Sequence, residues 1–176
     1  MENVIYRAQQ FWNAVTASLD QNDLDEIREV LPAKLLNLFL QMQVTEQTHS
    51  FQVFRKLKNC GATNPDLLQA ALLHDVGKVK HPLHVWERVE IVLVKMVAPE
   101  KAKDWGKGFI NGWRRPFVIA FQHAGWGAEM AQEAGASPMV VSLINRHHEK
   151  VILNQPTDEN DEDQLLSQLQ TYDNES

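Results

Sequence analysis

The sequence predicts an all-α fold, a single-domain helical bundle. Apolar residues recur three and four apart in nearly every segment. Runs that alternate apolar and polar residues, the mark of a half-buried strand, are short. Proline and glycine stand where helices would open and close, as at Pro65, Gly61 and Gly135.

The elements follow in order. Residues 4–19 place Val4, Tyr6, Ala8, Phe11, Trp12, Val15 and Leu19 at helix-like spacing. A new helix starts near Asp23, with Asn22 or Asp23 as N-cap, and Pro32 breaks it and opens the next, 33–42. Residues 46–60 form an amphipathic helix that Gly61 closes. Asn64 caps, and Pro65 begins, an almost wholly apolar helix that ends at Gly77 and is expected to be central. Residues 83–97 are helical, and "EKAKDWGKGFINGWRRPF" reads as a short helix and then a connector. An apolar segment, 117–121, precedes a helix over 126–134 closed by Gly135. Ser137 and Pro138 open a helix that runs to about residue 150. "NQPTDENDED" reads as an acidic loop, and a last helix spans 162–172.

The 176 residues suffice for one domain with a sizeable core, and 44% apolar with 23% charged residues is ordinary for a globular chain. A net charge of −6 argues against a general nucleic-acid coat. The single cysteine, Cys60, allows no intrachain disulfide and fits a reducing compartment. "MENVIYRAQQFW" lacks the basic and apolar regions of a signal peptide, and the apolar stretches carry charges too often to span a membrane. A cytoplasmic location is expected.

The histidines are informative by position. His49 continues the buried stripe of Val53, Leu57 and Cys60. The apolar run "ALLHDVGK" stops on His74 and Asp75. His147 and His148 extend the stripe of Val140 and Ile144, Asp173 extends that of Leu166 and Leu169, and His123 follows an apolar run. One such histidine by itself is ordinarily a core residue held by a backbone carbonyl. Four or five together are not explained that way. Imidazole and carboxylate in combination suit divalent first-row metals, and the lack of cysteine partners disfavours a finger-type zinc.

In this order the residues resemble the HD-domain superfamily of metal-dependent phosphohydrolases. His49 in "EQTHSF" resembles its first histidine, and His74-Asp75 in "ALLHDVGK" its HD pair in the HD-[IV]-G-K form. His123 in "FQHAGWGAEMA" and His147-His148 in "LINRHHE" resemble elements of the two-metal branch. Asp173 in "LLSQLQTYD" resembles the late aspartate. The likeness covers residues 45–173. "HHEKVILNQ" lacks the Gly-Tyr-Pro of the cyclic-di-GMP-hydrolysing branch, and the stretch between His81 and Pro116 is long for the family.

The resemblance implies an HD domain over 45–176, with a helical segment, 1–44, packed on it. It implies one divalent metal held by His49, His74, Asp75 and Asp173, and a second by His123, His147 and His148, with Asp75 bridging. Fe, Mn, Mg, Ni and Zn are not distinguished. The implied reaction is hydrolysis of a phosphate ester or anhydride of a nucleotide or other small phosphorylated compound, with Asp75 and Lys78 as the catalytic residues. Lys78 would pair with a phosphate oxygen, or else only complement a helix end. Two rival readings stay open: a di-iron oxygenase of the same superfamily, and a non-catalytic metal-binding signalling module. A homodimer is compatible with the chain.

Glu149 reads either as a partner orienting His147 or His148 or as a solvated charge. His81 and His84 read as loop residues rather than ligands. In residues 101–117, Lys101, Lys103, Lys107, Arg114 and Arg115 alternate with Trp105, Phe109 and Trp113. That stretch reads first as a solvated connector with its aromatics on the core. A phosphate-gathering lid and a contact with an anionic membrane are the alternatives. The acidic residues of 158–163 read as a solvated loop.

Overall fold

Nine α-helices make up the described part of the chain, residues 19–149, 151 and 162–175, in a computed structural model. They are α1 (Gln21–Val30), α2 (Ala33–Gln41), α3 (Val44–Asn59), α4 (Pro65–Leu73), α5 (Val85–Val97), α6 (Pro99–Gly106), α7 (Arg115–Glu133), α8 (Pro138–Arg146) and α9 (Glu162–Asn174). Two 3₁₀ turns, Val76–Lys80 and Gly112–Arg114, precede α5 and α7. The helix expected over 4–19 lies outside the described residues except for Leu19, and so does most of the acidic loop.

Local signals explain most boundaries. Asp20, not Asn22 or Asp23, caps α1, in a reciprocal capping box with Asp23. Asn64 accepts from the amides of Asp66 and Leu67, and Pro65 opens α4. Ser137 caps α8. Gly61 at φ 89° closes α3, in the left-handed region that a side chain resists.

Four expectations are corrected. The central helix α4 stops at Leu73, so Gly77 does not end it and lies instead inside the following 3₁₀ turn. The segments 117–121 and 126–134 are one helix, α7, because its buried face from Phe117 to Ala131 serves two apolar clusters in succession. The main cluster gathers Ile27, Phe39, Phe54, Leu72, Ala131, Ile144 and Leu166, among others, from α1–α4 and α7–α9. The smaller one joins Leu83, Ile91, Ala102, Phe117 and Ile119 under α5 and α6. Helix α8 ends at Arg146, so His147 and His148 stand in the turn beyond it. Within 101–117, Trp105 packs on the smaller cluster, but Phe109 is 90% exposed and Trp113 60% exposed, so the aromatics are not all on the core.

Gly77 has a different task from the one expected. A Cβ built on it would lie 1.9 Å from the His123 carbonyl oxygen and 2.6 Å from the Gly127 nitrogen, both on α7. The missing side chain lets the turn after His74-Asp75 press against the backbone of α7. Two buried carboxylates fix α5: Glu46 of α3 pairs with Arg88 at 2.5 Å, and Glu87 of α5 pairs with Arg115 of α7 at 2.5 Å. Buried carboxylates of this kind require such partners. No helix among the described residues is long and apolar enough to cross a membrane.

Candidate metal centre

The seven residues expected as ligands come together from α3, the turn after α4, α7, the turn after α8, and α9. His49, His74 and Asp173 bring one ligand atom each within 4.8 Å of one another, and so do His123, His147 and His148. The groups adjoin, since the His74 and His147 rings lie 5.3 Å apart between centroids. Asp75 stands between them. Its Oδ1 is 3.1 Å from His123 Nε2, and its Oδ2 is 3.8 Å from His74 Nε2 and 2.6 Å from Lys78 Nζ. Asp173 Oδ1 lies 2.8 Å from His49 Nε2 and 3.4 Å from His74 Nε2.

The hydrogen bonds assign the imidazole tautomers. His74 Nδ1 donates to the Ala71 carbonyl at 2.9 Å, His123 Nδ1 to that of Ile119 at 2.9 Å, and His147 Nδ1 to that of Ile144 at 2.7 Å. Each neutral ring is left with a lone pair on Nε2. These three Nε2 atoms are buried and have no hydrogen-bond partner among the described residues. Two of them also face carboxylate oxygens, a pairing of lone pairs that is unfavourable unless a cation lies between them. The donor set therefore fits a divalent cation.

The electrostatics agree. Burial raises the Asp75 carboxyl, but Lys78, His74 and His123 outweigh it and hold it well below the ordinary range. Asp173 is also held low, by its hydrogen bond to His49 and by the His74 ring beside it, against its burial. Burial pushes His147 far down, helped by the neighbouring imidazoles, and lowers His123 despite Asp75. Desolvation and His123 push His148, at the exposed rim, down to about 3. His74 alone is raised, because the charges of Asp75 and Asp173 exceed the effect of its burial. Neutral imidazoles at His123, His147 and His148 beside ionised carboxylates are the protonation states that metal ligation requires.

The surrounding residues hold this geometry. The Gln170 amide donates to the carbonyls of His147 at 3.0 Å and Glu149 at 2.6 Å, fixing the turn that carries the paired histidines. Arg146 ties that turn to the start of α9 through Glu162 and Asp163. Glu149 pairs with Arg146 at 2.9 Å, so it is a charge at a helix end and orients neither histidine. His81 packs edge-on against Trp126, and His84 caps α5; neither belongs to the cluster.

A scan against protein-family models matches the HD domain over residues 47–174. The chain belongs to the HD-domain family. The match begins just before His49 and ends just after Asp173, so it encloses all seven clustered residues of this HD domain. Neither the curated proteins nor the solved structures gave a match.

Sequence reasoning missed Lys95. It projects from α5 beside His148 and Asp173, at the mouth of the cluster. It interrupts the apolar run "VWERVEIVLVKMV", and nothing in that pattern separates it from an ordinary surface lysine.

Proposed function

We propose that this HD-domain protein is a metal-dependent phosphohydrolase that hydrolyses a phosphate ester or anhydride of a small compound. One observation carries the reading: three buried imidazole Nε2 atoms have no hydrogen-bond partner among the described residues, and two of them face the carboxylate oxygens of Asp75 and Asp173. His49, His74, Asp75 and Asp173 would hold one ion and His123, His147 and His148 a second, with Asp75 reaching both. Bound divalent ions supply acidification of water and polarisation of a phosphoryl oxygen.

The chain's own residues do the rest. The backbone carbonyls of Ala71, Ile119 and Ile144 lock the tautomers, so the ligand geometry needs no rearrangement. Asp75 stays ionised near neutral pH because Lys78 and the histidines favour its charge. Lys78 is 20% exposed at its side chain and 2.6 Å from Asp75, so it can turn from that carboxylate to a phosphoryl oxygen gaining negative charge. Leu72 and Leu73, just before His74, and Leu166 and Leu169, on the helix that carries Asp173, are fully buried.

The test is turnover by the purified protein, loaded in turn with Mn²⁺, Fe²⁺, Ni²⁺, Mg²⁺ and Zn²⁺, on a panel of nucleotides and phosphoesters. Turnover that disappears in Asp75→Ala is expected. Absence of any activity above that variant would refute the proposal.

A further inference from the structure

Two adjoining pockets share Lys95, His148 and Glu149. One, of about 520 Å³, also takes in His147 and Asp173 and so opens on the histidine cluster. The other, of about 870 Å³, runs along α6 and α7 and is walled by Ala102, Phe117, Ala120, Phe121 and Ala124. Phe121 leaves 45% of its surface exposed there, although phenylalanine ordinarily gains by burial.

Lys95 stands where the pockets meet. No ion pair or hydrogen bond engages its ammonium among the described residues. An ammonium without a partner among the described residues, at the opening onto the cluster, favours an incoming anion. The apolar wall beside it has little to offer a hydroxyl-rich group, since burying hydroxyls without partners is costly.

Resting on the hydrolase reading for the site's chemistry, we infer that Lys95 binds the substrate's phosphate at the cluster while the Phe121 cleft takes an apolar or aromatic group attached to it. The ligand class is an organic phosphate with an apolar or aromatic body, in preference to a small hydroxylated phosphate. Lys95 acts as a positioning residue from outside the histidine and aspartate motifs.

The experiment is calorimetric titration of the full-length, Mn²⁺-loaded protein with two non-hydrolysable probes, benzylphosphonate and 2-hydroxyethylphosphonate. The wild type should bind the benzyl compound more tightly. Lys95→Gln should weaken both by about tenfold, as loss of a charge-assisted contact does, with manganese content unchanged, and Lys95→Arg should restore most of the loss. Phe121→Ser should weaken only the benzyl compound, by roughly two- to tenfold. Lys34→Gln, an exposed lysine that lines neither pocket, should change nothing. Equal affinity for the two probes, no binding of either, or a Lys95→Gln variant that binds like the wild type would overturn the inference. Lys95-dependent binding by a protein that hydrolyses no phosphoester would support the inference and refute the hydrolase reading. Hydrolysis with binding indifferent to Lys95 would do the reverse.

Discussion

Asp75 Oδ1 lies 3.1 Å from Nε2 of His123, a ring whose Nδ1 already donates to the Ile119 carbonyl. A carboxylate oxygen and an imidazole lone pair are brought together, and a shared cation is the arrangement that makes this favourable. Asp75→Asn keeps the size of the side chain and removes its charge. Metal affinity should fall by more than the roughly 10–100-fold that loss of an outer partner of a ligand costs. Elemental analysis after dialysis checks this, and an unchanged metal content would count against Asp75 as a ligand.

Gly77→Ala should be destabilising out of proportion to one methyl group. The new Cβ would sit 1.9 Å from the His123 carbonyl, so the Val76–Lys80 turn and α7 must separate. Overpacking of this kind costs about 1–3 kcal/mol. The same separation would draw Asp75 from His123, so metal affinity should fall together with the urea midpoint. Loss of stability with full metal affinity would show that the close approach does not position Asp75.

Lys78→Met removes the cation 2.6 Å from Asp75 and leaves that buried carboxylate with less compensation. The metal-free protein should lose about 1.5–3 kcal/mol in chemical unfolding, the range for a hydrogen bond to a charged group. Saturating Mn²⁺ should recover much of it, because the ion compensates Asp75 in its place. A stability loss that metal does not reduce would place Lys78 outside the electrostatics of the site.

The metal-free protein should lose stability on acidification. His123, His147 and His148 have folded-state values below the ordinary 6.5, so below that pH the unfolded chain binds more protons and stability falls. Asp75 and Asp173 are depressed as well, and their contribution is lost as pH falls further, through the carboxylate range. His74, which is raised, opposes this: its contribution is present below 6.5 and is lost as pH rises. Three histidines against one set the direction. Urea midpoints in chelator should therefore be lower at about pH 5.5 than at about pH 7.5. A flat profile would contradict these protonation states.

Arg115→Met strands the buried Glu87 carboxylate and frees the start of α5. Breaking one side of a buried pair costs about 3 kcal/mol or more. Hydrogen exchange should speed up in α5 before it does in α4, and Arg115→Met with Glu87→Gln should recover part of the loss. Uniform destabilisation would argue that α5 is not held by this pair.

Much of the site was legible along the chain because its ligands sit at helix ends or on apolar stripes. His49 lies in register with Val53, and Asp173 with Leu166 and Leu169, so periodicity alone turned them inward. Spacing alone puts His147 and His148 in the helix itself, whereas α8 ends at Arg146. A Gln170 side chain 23 residues away holds the carbonyl of the turn that carries them, and local pattern cannot foresee that contact. Likewise the aromatics of 101–117 carry the composition of core residues, but Phe109 is 90% exposed.

The sequence by itself determined the all-α class, most helix limits, and which histidines and aspartates turn toward the interior. Those properties follow from spacing within one helix and from capping residues a few positions away. Only the tertiary structure decided that Gly77 serves a backbone contact with α7, that Asp75 stands between the two histidine groups, and that Lys95 meets them across a cleft. Each of these depends on how separate helices approach, which is set by the packing of the whole chain and not by any one segment of it.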